Sequence, residues 1–120
     1  MSWDPEVIVI SGYRLPAEIW KKAMLYCEQH QNDPEAHIPE DWEDYFINMD
    51  YIHETHDVYF GAIIHSITEG TPTIEFDTIL ADFNTIHRVQ DAFFNICYPI
   101  YMQKGFPLPF YNKYIGMRWI

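Results

Sequence analysis

Asp and Glu are the residues of this 120-residue chain whose number and spacing suggest a function. Residues 23–87 contain fourteen Asp and Glu residues and neither Lys nor Arg, and the whole chain has a net charge of −11. Soluble domains normally intersperse both signs of charge, because unpaired like charges destabilise the compact state. The sequence therefore predicts a functional acidic surface, whose ligand would be the basic residues of another protein.

The densest acids fall in a segment whose spacing predicts a helix that begins at Pro39. Its apolar residues recur at i, i+3, i+4 and i+7, and they are Trp42, Tyr45, Phe46 and Met49. The acids lie off this stripe, on an axis that rises about 1.5 Å per residue, and duplex DNA carries one charge per about 1.7 Å. A rigid acidic helix could therefore imitate a row of phosphates. The alternative is that the acids only solvate the outer face of an ordinary helix.

The predicted partner-binding residues are acids in and around this helix, with two aromatic residues beside them as exposed anchors. They are Glu35, Glu40, Asp41, Glu43, Asp44, Asp50, Glu54, Asp57, Trp42 and Tyr45. The predicted partner is a basic protein, namely a nucleic-acid-binding enzyme whose basic site the carboxylates block. Nucleic acid itself and anionic membranes are not expected as partners, because both would repel a negative protein. The sequence does not indicate an oligomeric state for this protein.

This interpretation describes a non-enzymatic inhibitor without a cofactor. In size and charge alone the chain is comparable to the nucleic-acid mimics that phages make against host restriction or CRISPR nucleases, and no shared motif supports that analogy. The possible nucleophiles are Ser11, Ser66, Cys27 and Cys97. None of them lies in a nucleophile elbow, and the glycines stand singly rather than in a phosphate-binding loop.

Two other functions fit parts of the sequence. The C-terminal quarter combines aromatic and basic residues, which favours either a binding site for a small molecule or nucleotide, or a core with a proline-braced connector. Those residues are Tyr98, Tyr101, Phe106, Phe110, Tyr111, Tyr114, Trp119, Lys104, Lys113 and Arg118. Separately, His53, His56 and His65 lie near acids and could hold a metal ion, but their spacing matches no established ligand motif.

The elements that must position these residues alternate between strand and helix patterns. Residues 7–11 and 58–67 are apolar on both faces, which predicts strands in the interior of a sheet. Residues 17–29 and the segment after Asp82 have helical spacing, and Pro99 ends or kinks the second helix. Residues 73–77 predict the second strand of a hairpin, and residues 114–120 predict a closing strand.

Together these elements predict one α+β domain over residues 1–120, an antiparallel sheet with helices packed on one face. Without the acidic helix, the order is the ferredoxin-like βαββαβ. No apolar run reaches the length of about 18 residues that a membrane span needs, and no signal peptide is expected, because the first residues include Asp4 and Glu6 and lack a basic stretch. Two cysteines are expected to be buried free thiols in a cytoplasmic protein.

Overall fold

Four strands and three helices form the fold in the computed structural model, which describes residues 5–49, 57–67 and 76–119. The strands are β1 (Pro5–Leu15), β2 (Phe46–Met49), β3 (Asp57–Ile67) and β4 (Asn112–Trp119). The helices are α1 (Ala17–His30), α2 (Phe83–Ile96) and α3 (Tyr98–Lys104). Short 3-10 turns cover Pro34–Ala36, Trp42–Tyr45 and Phe76–Thr78. The strand order is β2-β3-β1-β4 with every neighbouring pair antiparallel, which confirms the α+β class.

The two strands predicted to be central, β1 and β3, lie in the interior of the sheet. They pair from Val7 with Ile67 to Leu15 with Val58, and a register shift between Val9 and Ile10 interrupts the ladder. Both faces of β1 are buried, which explains why its apolar residues do not alternate with polar ones.

The larger core lies between the sheet and the helices, and all three helices contribute buried residues to it. Its members are Tyr13, Leu15, Ile19, Ala23, Cys27, Trp42, Tyr45, Val58, Phe60, Val89, Ala92, Phe93, Ile96, Cys97, Ile100 and Tyr101. The smaller core lies on the other face and comes from the described strands alone: Ile8, Ile10, Ile47 and Tyr59, with Tyr114 packed against them. The helices therefore pack on one face of the sheet, as the sequence predicts.

Local signals set the ends of the helices. Asp82 caps α2, because its carboxylate accepts the Thr85 backbone N–H at 2.6 Å. Pro99 lies in the first turn of α3, where no backbone N–H is needed, so the chain bends between α2 and α3. Gly105 ends α3 in the left-handed region, with φ at 71°. The two long helices are confirmed close to their predicted bounds.

The predicted helix beginning at Pro39 is wrong. The structure has a 3-10 turn over Trp42–Tyr45, and the chain then enters β2, where Phe46 pairs with Phe60 and Ile47 with Tyr59. Ile47 lay off the predicted helical stripe, but a strand directs it into the smaller core, where it is buried. Burial of Ile47 and pairing with β3 favour the strand over the helical spacing of the neighbouring aromatic residues.

The predicted hairpin strand is not observed where the structure describes it. Phe76–Thr78 forms a 3-10 turn, whereas residues 73–75 lie outside the described part of the chain. Among the described strands, β2 comes second along the chain, and it precedes β3, whereas the predicted hairpin strand would follow it. The ferredoxin-like assignment stays a prediction.

Close approach of β1 and β3 at Gly12 and Gly61 generates the first testable prediction. A methyl group added at Gly12 would lie 2.6 Å from the Gly61 Cα and would overlap the Phe60 carbonyl oxygen, both of them backbone atoms. We expect Gly12→Ala to lower the free energy of unfolding by about 3 kcal/mol in urea titrations. Gly105→Ala is the control, since its methyl group meets open space and strains only the backbone, at about 1 kcal/mol. Equal losses for the two variants would contradict this account.

Candidate functional site

Five of the predicted partner-binding acids lie together on one irregular segment, which we call the acidic segment (residues 35–44). These residues are Glu35, Glu40, Asp41, Glu43 and Asp44, and all five side chains are exposed. Within the described ranges, none of them has a Lys or Arg within ion-pair distance. The acidic segment therefore presents its negative charge to solvent.

Trp42 and Tyr45 were predicted to be exposed anchors, and this is wrong because each side chain is only 4% exposed. The Trp42 Nε1 donates a hydrogen bond to the Gln31 Oε1 at 3.3 Å, and the Tyr45 ring stacks on Phe60 with centroids 5.4 Å apart. Burial, and next the nearby Asp41 carboxylate, raise the pKa of Tyr45. Both rings thus fix the acidic segment to the helix-side core instead of facing a partner.

The remaining predicted site residues are only partly described. Asp57 is the first residue of β3, where it pairs with Met49, and the described part does not include its side chain. Asp50 and Glu54 lie outside the described residues, as do His53 and His56. Among the residues that the structure does describe, no three His, Cys, Asp or Glu side chains are grouped to hold a metal ion.

Arg88 is the site residue that sequence reasoning missed. It lies on α2, far along the chain from the acidic segment, and the fold brings it to the same groove as Asp41, Glu43 and Asp44. This groove has a volume of about 620 Å³, and Gly61, Ala62 and Ile63 of β3 line it as well. No local pattern around Arg88 could have identified it, because the juxtaposition arises from the packing of α2 against the sheet.

A second groove of about 250 Å³ continues along β3 toward the start of α2, and it shares Ala62, Ile63 and Arg88 with the first. Its other lining residues are Ile64, Leu80, Ala81, Asp82 and Thr85. The two grooves therefore follow β3 from the acidic segment to the N-terminus of α2. Together they form what we call the β3 groove.

Lys113 of β4 anchors the segment that leads into α2. Its Nζ donates hydrogen bonds to the backbone oxygens of Phe76 and Ile79, at 2.7 and 2.9 Å, and lies 4.3 Å from the centre of the Phe76 ring. Leu80 and Asp82 come within three residues after Ile79 in the chain, so this contact holds one wall of the β3 groove in place.

Among the C-terminal aromatic and basic residues whose side chains the structure describes, Lys113, Lys104, Tyr101 and Tyr114 are not gathered into one site. Lys113 is engaged as described, and Lys104 forms an ion pair with Glu18 at 2.8 Å. Tyr101 belongs to the helix-side core, whereas Tyr114 packs on the opposite face of the sheet. These contacts favour the interpretation of core residues and connector for this region.

Each of the four possible nucleophiles is either a buried thiol or a hydroxyl that forms a hydrogen bond. Both thiols are free and fully buried, and burial raises the pKa of Cys27 to about 12 and that of Cys97 well above its usual value. They are therefore protonated at neutral pH. The Ser11 hydroxyl hydrogen-bonds the Tyr111 hydroxyl across the sheet, and the Ser66 hydroxyl donates to the Glu6 carboxylate.

Comparison with protein-family models, curated proteins and solved structures gave no match to this chain. Among the described helices, none combines the length and the apolar character needed to cross a bilayer.

The Lys113 anchor gives a prediction about stability. Lys113→Met removes two charge-assisted hydrogen bonds and leaves the Phe76 and Ile79 carbonyls without this donor, so we expect a loss of about 2 kcal/mol in the free energy of unfolding. Lys104→Met is the matched control, because it removes an ion pair at the surface and should cost much less. Chemical denaturation measures both, and equal losses would show that Lys113 is not an anchor.

The Asp82 cap gives a prediction about pH. Hydrogen bonds from Thr85 lower the pKa of Asp82 below its ordinary value of 3.8, so the share of the cap's stabilising effect that depends on ionisation is complete above that pH and is lost as the pH falls through the lowered pKa. We expect the Tm difference between the wild type and Asp82→Ala to be constant near neutral pH and to shrink below pH 3.8.

Asp82→Asn serves as the control, because its amide oxygen can still accept the Thr85 N–H and should retain most of the cap. A Tm difference for Asp82→Ala that is the same in strong acid as at neutral pH would contradict the role of the ionised carboxylate.

Proposed function

We propose that this protein is a non-enzymatic inhibitor that presents the acidic segment to the basic site of a nucleic-acid-binding enzyme and blocks that site. The single observation that carries the proposal is the group of five exposed carboxylates on residues 35–44, none of them in an ion pair with a described Lys or Arg. Their natural complement is a cluster of Lys and Arg on another protein.

The surroundings of the acidic segment support a binding role. Trp42 and Tyr45 are buried in the core between and beside the acids, so the backbone that carries the carboxylates is held before a partner arrives. A preorganised surface loses less conformational entropy on binding than a flexible acidic tail would. The long-range field of the uncompensated charge would also accelerate encounter with a basic partner.

The spacing of the acids suits a site that evolved for phosphates. A 3-10 turn rises about 2.0 Å per residue, and duplex DNA carries one charge per about 1.7 Å of its axis. Glu43 and Asp44 lie in the 3-10 turn and Glu40 and Asp41 directly precede it, so four acids fall within five consecutive residues. Nucleic acid itself would be repelled, so the partner is the protein that binds it. The proposed compartment is the cytoplasm, where the reducing environment suits the free thiols Cys27 and Cys97.

The test is capture of partners on the immobilised protein at low salt, identification by mass spectrometry, and titration of the purified partner. We expect to capture a nucleic-acid-binding enzyme. Duplex DNA or RNA should displace this enzyme from the immobilised protein, and the affinity between the two proteins should fall steeply as the salt concentration rises from about 50 to 500 mM. Asp41→Asn with Asp44→Asn should weaken binding at low salt by about tenfold, the effect of losing about 1.4 kcal/mol.

Glu28→Gln with Asp77→Asn is the matched control, because it removes two exposed carboxylates outside the acidic segment and gives the same net charge. Equal effects of the two double variants would show that net charge alone, rather than the acidic segment, determines binding. Affinity that does not change with salt would overturn the proposed mechanism.

A further inference from the structure

β3 has a long edge that no described strand covers. β1 pairs with β3 from Val58 to Ile67, whereas β2 covers the other side only as far as Phe60. Among the described strands, none lies against residues 61–67 on that side. An uncovered strand edge offers backbone N–H and C=O groups to another extended chain.

The β3 groove runs along this uncovered edge. Its floor is formed by residues 61–64, one end by the acidic segment, and the far wall by Leu80, Asp82 and Thr85. Residues 61–64 span about 13 Å in an extended strand, so the groove fits a short peptide segment. Ile63 and Leu80 are 38% and 77% exposed, and they offer apolar contacts beside the strand edge.

Charge decides which peptide suits the groove. Asp41, Glu43 and Asp44 line one part and Asp82 another, and Arg88 is the cation that lines both. The carboxylates therefore outnumber the cation, and the complement is a segment that carries Lys or Arg.

We infer that the β3 groove binds an extended basic peptide segment of a partner protein, which adds to the sheet as a strand in line with β2. Backbone hydrogen bonds to residues 61–64 would supply affinity, while Lys or Arg side chains would reach the acidic segment. This inference rests on the proposed function, because it assigns the same carboxylates to one structural mode of binding.

The probe is a fluorescent ten-residue peptide of alternating Lys and Val, titrated against the whole protein by anisotropy. Its matched control is the same peptide with the central backbone amides N-methylated, which keeps every charge and removes the hydrogen-bond donors. We expect the methylated peptide to bind at least about tenfold more weakly, since it can no longer donate backbone hydrogen bonds to β3. Hydrogen exchange of the amides in residues 61–64 should slow when the unmethylated peptide binds.

The outcomes separate this inference from the proposed function. If both peptides bind equally and Asp41→Asn with Asp44→Asn weakens both, the acidic segment binds cations but no strand is added, and only the inference fails. Absence of saturable binding at millimolar peptide overturns the inference, and so does protection confined to residues outside the β3 groove. If self-association without peptide slows hydrogen exchange in residues 61–64, the edge binds a second copy of the chain, and the inference is likewise overturned.

Discussion

The unequal lengths of β2 and β3 shape the whole candidate site. β3 has eleven residues and β2 has four, so most of one side of β3 is left without a neighbour in the described sheet. β2 cannot extend backward past Phe46, because Trp42 and Tyr45 turn into the helix-side core. The same turn carries Asp41, Glu43 and Asp44 to the end of the exposed edge. Burial of two aromatic rings thus places the carboxylates beside an open strand.

The charge of the acidic segment has an energetic cost in the free protein. Like charges in a short segment repel one another, and the described residues supply only Arg88 at the same groove. A basic partner would relieve that repulsion, so the charge that destabilises the free state becomes favourable on binding. The fixed backbone at Trp42 and Tyr45 prevents the segment from relaxing outward, which keeps the carboxylates close together.

The sequence predicts the long strands and helices well and the short segments poorly. β1 and β3 are recognisable because strands buried on both faces are apolar throughout, and α1 and α2 because their apolar residues keep one period. The segment 42–49 misleads because Trp42 and Tyr45 share a face in a 3-10 turn as well as in a helix. Only the pairing of Ile47 with Tyr59, a tertiary contact, distinguishes the two.

The candidate site, too, could be predicted from the sequence only in part. Composition alone identifies the acids, since the absence of Lys and Arg over residues 23–87 is visible in the chain itself. Exposure of the individual residues is not visible, and the two aromatic side chains taken for surface anchors are core residues. Arg88 and the β3 groove could not be predicted, because both depend on how α2 docks on the sheet.

Pairing of β1 with β4 has a consequence for how the molecule folds. The ladder joins Pro5 to Trp119 and Gly12 to Asn112, so these contacts bring together residues about a hundred positions apart. Contacts of such high sequence separation require closure of a long loop and slow the search for the native topology. During synthesis the backbone groups on one edge of β1 therefore have no strand partner until β4 is available. The sheet is completed only after nearly all of this sequence has left the ribosome.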